Sequence, residues 1–195
     1  MRRREQFTGF EERSGKLNEA FLLGEVRTQD PEYQKVLKNL GGDSRGYLPF
    51  VTAMELAMLF QPVVKALNRE TKREERRAQD PANPEKRFAN DLRVQIADKL
   101  GLATFEELER LKYYTAIGSP LDFFHGVDAF VVLEGEHSSD PKKIVTFDFT
   151  LRTEAGAKEN AKANVIIRNL DPDSQKALQQ IDEIAGQAAV YLRKN

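Results

Sequence analysis

At 195 residues the chain is long enough to bury the core of one ordinary domain. Its 30 basic and 31 acidic side chains leave a formal charge of −1, so bulk charge draws no polyanion and a nucleic-acid site has to come from local clustering. The absence of cysteine excludes disulfides and thiolate metal centres, and with His125 and His137 as the sole histidines a multi-histidine zinc site is not expected.

Residues 1–45 are polar and weakly periodic, and read as an arm or peripheral layer. Leu17, Ala20, Phe21 and Leu22 predict a turn or two of helix before Gln29-Asp30-Pro31 breaks the pattern. A second short helix is expected over 31–40, ended by Gly41-Gly42. Residues 51–68 form the most apolar helical stretch, with Met54, Leu56, Met58, Leu59, Val63, Val64 and Leu67, and Pro62 kinks or divides it. It reads as a core helix or, because methionines suit adaptable contacts, as a homodimer surface. Residues 69–79 alternate charge at helical spacing, which predicts a solvated helix face. The alternative is a phosphate-contacting stripe of Arg69, Lys72, Arg73, Arg76 and Arg77, diluted by Glu70, Glu74 and Glu75. Asp80-Pro-Ala-Asn-Pro84 is the expected boundary between a helical N-terminal region, 1–80, and an α/β core, 84–195.

Beyond that break the pattern sharpens. Phe88, Leu92, Ile96 and Leu100 recur every four residues and predict a helix over 84–100, stopped by Gly101. Thr104-Phe-Glu-Glu107 matches a capping box, in which threonine and glutamate satisfy each other's free backbone donors, and the helix it opens is expected to reach Ala116. Strands follow over 123–133 and 143–152, a short helix over 155–163, a strand over 165–167 and a last helix opened by Asp171-Pro-Asp-Ser174. Helices grouped round a small mixed sheet make an α/β or α+β fold.

The chemistry gathers at two aspartates, Asp128 in His125-Gly-Val-Asp128 and Asp148 in Phe147-Asp-Phe-Thr150. Strand alternation sets Val145, Phe147, Phe149 and Leu151 on one face and Thr146, Asp148, Thr150 and Arg152 on the other. A carboxylate amid apolar neighbours, as Asp128 is, needs a metal, a cation or several donors to offset its desolvation. Pairing with Arg152 is one solution, and a hard divalent ion held by oxygen ligands is the other. His125 reads as a hydrogen bonder at a strand entry and His137 as a solvated loop residue.

These residues and their element order resemble the PD-(D/E)XK nuclease-like superfamily over about residues 84–170. Members run helix, strand hairpin, helix, strand, with an aspartate on one hairpin strand and an acidic-x-lysine triplet on the next. Gly126-Val-Asp128 and Asp148-Phe-Thr150 match those places, with Thr150 where lysine is expected. The resemblance implies a restriction-endonuclease-like core that hydrolyses phosphodiester bonds in DNA, with Mg²⁺ or Mn²⁺ on Asp128, Asp148, the Phe149 carbonyl and a carboxylate of the leading helix, for which Asp91 is the nearest equivalent and Glu85 and Asp98 are the alternatives. It also implies Lys158 or Lys162 as the displaced lysine, and Arg152 and Thr150 against the substrate. Loss of the lysine leaves open a catalytically inactive module of the same fold that binds nucleic acid or a protein partner. The lack of cysteine, and of any apolar run near the ~20 residues that span a bilayer, makes the cytoplasm the expected location.

Overall fold

Four strands make the sheet on which the rest of the molecule is built. The computed structural model describes residues 19–67, 74–150, 162–168, 170 and 177–194. The strands are β3 (Leu111–Thr115), β4 (Ala129–Leu133), β5 (Lys143–Thr150) and β6 (Val165–Arg168), in the order β3-β4-β5-β6. The first three run antiparallel to their neighbours, whereas β6 lies parallel to β5, so the sheet is mixed. A separate antiparallel ribbon pairs β1 (Val63–Leu67) with β2 (Glu74–Ala78).

Helices cover both faces of the four-stranded sheet. Against one face, Ala129, Val131, Val145, Phe147 and Phe149 meet Leu92 and Ile96 of α4 (Arg87–Leu100) and Ile184, Ala188 and Leu192 of α7 (Ala177–Lys194). Against the other, Phe130 and Val132 meet Leu56 and Ala57 of α3 (Phe50–Leu59), Tyr33 of α2 (Pro31–Asn39), Leu48 and Leu121. The alternation of β4 feeds the two clusters in turn, as the two-residue period of a strand dictates. The described residues from Glu19 onward thus contribute side chains to the core. Leu23 of α1 (Glu19–Leu23), Leu48 and Leu56 are fully buried.

Where the signals are local, the expected elements appear. The α4 stripe is buried at Phe88, Leu92 and Ile96, and Gly101 closes the helix with a φ of 78°, a left-handed turn that suits glycine. Both bonds of the Thr104–Glu107 capping box are made. The last helix is present as α7, with Ile181, Ile184, Ala185, Ala188 and Leu192 buried and Leu178 exposed, and the helix opening expected at 171–174 lies outside the described residues, as does most of the expected short helix at 155–163.

Four expectations fail. The capped helix α5 (Phe105–Glu109) is short, and the chain then enters β3 instead of continuing to Ala116. Leu111, Tyr113 and Thr115 are buried with half-buried Lys112 and Tyr114 between them, a strand alternation paired with β4. Pro62 divides residues 51–68, as expected, but α3 before it is followed by strand β1 and not by more helix. Gln61 closes α3 by donating to Ala57 O at 2.7 Å, then ties it to β3 through Thr115 O at 2.9 Å and Thr115 N at 3.0 Å. Of the charged run, 74–78 is strand β2 and not a helix face. Finally, 123–133 is not one strand: α6 (Pro120–His125) precedes β4, capped by Ser119 and opened by Pro120.

Candidate metal centre

Asp128 is placed by the way α6 ends. Gly126 takes a φ of 62° at the helix C-terminus and turns the chain through buried Val127 towards the sheet. The β4–β5 ladder begins with Ala129 opposite Phe147, one residue beyond Asp128. Asp128 nevertheless bonds to both neighbouring strands. Its amide donates to Phe147 O at 2.8 Å, and its carbonyl accepts from Ala116 N at 2.7 Å. Its side-chain Oδ2 accepts from the Phe149 amide at 2.6 Å, so the carboxyl straddles Asp148.

That carboxyl is 5 % exposed and stands in an acidic field. Burial, then the charges of Asp122 and Glu19, push its pKa up to about 9; Asp148 adds to the rise and the Phe149 amide opposes it. Burial disfavours the charged form, and like charges disfavour it further. With no cation bound, Asp128 is therefore protonated at neutral pH. Beside it the fully buried Tyr113 hydroxyl has no hydrogen-bond partner among the described residues, and burial together with Asp128 raises its pKa well above the ordinary tyrosine value.

The two expected aspartates thus come within range of each other's charge. Asp91 pairs with Arg87 one turn earlier on α4, at 3.5 Å. The helical carboxylate whose charge reaches Asp128 is Glu19 of α1, joined by Asp122 of α6, whose carboxylate also accepts from Gly118 N at 2.9 Å. Neither had a motif to mark it, because each lies outside the two strand segments. Phe149 contributes its amide to Asp128. Lys162 is exposed, and its amide donates to His125 O at 3.3 Å, which sets its backbone beside the α6 terminus that delivers Asp128. Lys158, Arg152 and the Thr150 side chain lie outside the described residues.

The remaining polar candidates are structural. His125 Nε2 bonds Leu48 O at 2.9 Å, and its ring rests against Tyr47 and Phe50, which ties α6 to the N-terminal layer. His137 lies in the exposed loop after β4, its amide bonded to Asp140. Thr146, on the Asp148 face of β5, exchanges hydrogen bonds with Asn164: its amide and hydroxyl reach Asn164 Oδ1 at 3.0 and 3.1 Å. Asn164 N in turn donates to Thr146 Oγ1 at 3.0 Å.

Among the described residues no three His, Asp or Glu side chains converge closely enough to hold a metal ion. Mg²⁺ does not require three. It binds through one or two carboxylates and keeps waters and substrate phosphates for its other positions. The donors here, Asp128 and Asp148 with Glu19 and Asp122 near, are hard oxygens that fit such an ion in kind. No family model, curated protein or solved structure matches the chain. No helix of the described residues is long and apolar enough to cross a membrane.

Proposed function

We propose that this protein is a metal-dependent nuclease that hydrolyses phosphodiester bonds in DNA, with Asp128 and Asp148 as the ligands of Mg²⁺ or Mn²⁺. One observation carries the reading. A carboxyl 5 % exposed is held at a strand junction with its Oδ2 on the Phe149 amide at 2.6 Å, within range of the charges of Asp122, Glu19 and Asp148, and a cation would offset the desolvation of its charged form. The element order agrees with it in part: α4 precedes the antiparallel β4–β5 hairpin, with α5, β3 and α6 between them, and β6 lies parallel to β5, while most of the helix that the PD-(D/E)XK resemblance expects between β5 and β6 lies outside the described residues.

A bound divalent ion lowers the pKa of a water ligand and offsets charge on the phosphate. The chain's own residues do the rest. Phe149 fixes the Asp128 carboxyl through its amide, so one ligand is oriented before any ion arrives. Asp148, partly open to solvent, is the ligand nearer the substrate side. Lys162, tied by its backbone to the α6 terminus, supplies the positive charge that Thr150 cannot. Thr150 at the lysine position favours the second reading, an inactive module of this fold that binds nucleic acid or a protein partner.

The test is cleavage of plasmid or single-stranded DNA with Mg²⁺ or Mn²⁺, wild type beside Asp148→Ala. Cleavage by the wild type alone is expected. Equal cleavage by both removes the assignment, and cleavage by neither leaves the binding module.

A further inference from the structure

A cleft of about 550 Å³ opens between the second half of α3, the base of the β1–β2 ribbon and β3. That is room enough for a small organic ligand. Met58 and Leu59 of α3, Ala78 at the end of β2, and Pro81 make its apolar wall. Leu59 is left 61 % exposed, an apolar side chain that a ligand would cover. Tyr114 of β3 adds an aromatic surface. Its ring stacks on Phe130 of β4, with centroids 5.2 Å apart and planes 17° from parallel, and is braced by that contact. Aromatic side chains of this kind take planar rings by stacking.

The polar groups narrow the choice. Two glutamines line the cleft, Gln61 and Gln79, and their amides are used differently. Gln61 has both ends on the backbone, Nε2 on Ala57 O and Thr115 O and Oε1 on Thr115 N. Gln79 uses one end. Its Oε1 accepts from Glu85 N at 3.2 Å, which orients the amide, and its Nε2 has no partner among the described residues. The side chain is 4 % exposed, so that donor is withdrawn from water as well. A buried amide donor without an acceptor is costly and rare in a folded protein. The bond to Glu85 does not account for it. A carboxylate suffices for such a bond, as Asp80 shows by accepting from Ala82 N at 2.9 Å.

Glu55 is the complement. It lines the same cleft from the exposed side of α3, one turn before Leu59, and makes no hydrogen bond or ion pair among the described residues. A carboxylate accepts and an amide nitrogen donates. A ligand that meets both presents an acceptor and an N–H on one edge. The apolar wall and Tyr114 ask that the rest of it be flat.

We propose that this cleft binds a planar ring by its lactam edge, with the ring carbonyl on Gln79 Nε2, the adjoining N–H on the Glu55 carboxylate and the ring against Tyr114. Guanine, thymine and hypoxanthine carry that edge. The proposal stands apart from the nuclease reading, since binding is measured in EDTA, where metal-dependent cleavage is silent.

The full-length protein is titrated by calorimetry with hypoxanthine and with purine, which has the same ring system and lacks the carbonyl. Hypoxanthine is expected to bind at least about tenfold more tightly, because a site built to hydrogen-bond a group rejects the analogue without it. Glu55→Ala, a change on an exposed helix face, should weaken hypoxanthine about tenfold and leave purine near its wild-type affinity. Gln79→Met keeps the side-chain length, removes the amide and should narrow the gap between the two ligands; Glu55→Ala decides alone if that buried variant does not fold. A dT oligonucleotide beside free thymidine tells the source of the ring. Tighter binding of the oligonucleotide makes it a base in a strand, no tighter binding makes it a free base or nucleoside, and either upholds the cleft. Equal affinity for hypoxanthine and purine, no hypoxanthine binding, or a hypoxanthine affinity that Glu55→Ala leaves unchanged overturns it.

Discussion

The Phe149 amide donates to Asp128 Oδ2 at 2.6 Å, which fixes a buried carboxyl across the head of the β4–β5 hairpin. The bond favours the ionised form, yet burial and the charges of Asp122, Glu19 and Asp148 outweigh it. A group held this way is a poor contributor to the stability of the metal-free fold, and on the proposed reading it is the ligand a cation would meet.

The first prediction follows from the sign of that shift. The folded-state pKa of Asp128, about 9, lies above the ordinary carboxylate value, so the native state binds the proton more tightly than the unfolded chain. Stability from this group is present at low pH and is lost as pH rises towards 9, at up to about 1.4 kcal/mol per pH unit. Asp128→Asn keeps an acceptor for the Phe149 amide and removes the titration. In EDTA the variant should match the wild type near pH 5 and become more stable than it by about pH 8, as read from urea denaturation. Parallel pH profiles would show that Asp128 ionises normally.

Cation binding reverses the same penalty. A ligand that binds only the native state stabilises it by mass action, about 2.7 kcal/mol at a hundredfold excess over its Kd. Mn²⁺ or Mg²⁺ should therefore raise the melting temperature of the wild type, more strongly at pH 8 than near pH 5 because the ligand must shed its proton. Asp128→Asn and Asp148→Asn should lose the response. A shift that survives both substitutions would place the ion elsewhere.

How much of this was legible depends on the range of each signal. The α4 stripe and the Thr104–Glu107 box are local, and both appear in the structure as expected. Residues 111–115 could extend a capped helix as readily as form a strand, and only pairing with β4 decides between them. Pro120 was ambiguous in itself: after Gly118-Ser119 it ends one helix or opens another, and the Ser119 hydroxyl accepting from Leu121 N settles the matter. That Asp128 and Asp148 lie within range of each other's charge follows from local pattern, because Asp148 is in β5 and Asp128 directly precedes β4. The reach of Glu19 and Asp122 does not, since tertiary folding alone carries α1 and α6 to that carboxyl.

Gln61 joins three elements, and its loss should be felt. The side chain is 2 % exposed and bonds Ala57 O, Thr115 O and Thr115 N. Gln61→Ala strands those backbone groups away from water, at a cost of about 3 kcal/mol. The denaturant midpoint should fall with an unchanged slope. A loss below about 1 kcal/mol would mean that water reaches the vacated site.

Tyr113 gives the opposite expectation for a buried polar group. Its hydroxyl is fully buried without a hydrogen-bond partner among the described residues, and it stands close enough to Asp128 for that charge to disfavour its ionisation. Burial of an unsatisfied hydroxyl costs about 1–3 kcal/mol, whereas the ring itself packs in the main core beside Leu111 and Val131. Tyr113→Phe keeps the ring and removes the orphaned oxygen. The metal-free protein should be stabilised by about 1 kcal/mol in urea denaturation, a rare gain from a core substitution. A loss of similar size would show that the hydroxyl has a partner in solution. With Mn²⁺ added, that loss should then separate into a direct effect on folding and a weaker ion response, because a hydroxyl bonded to Asp128 would also orient the ligand.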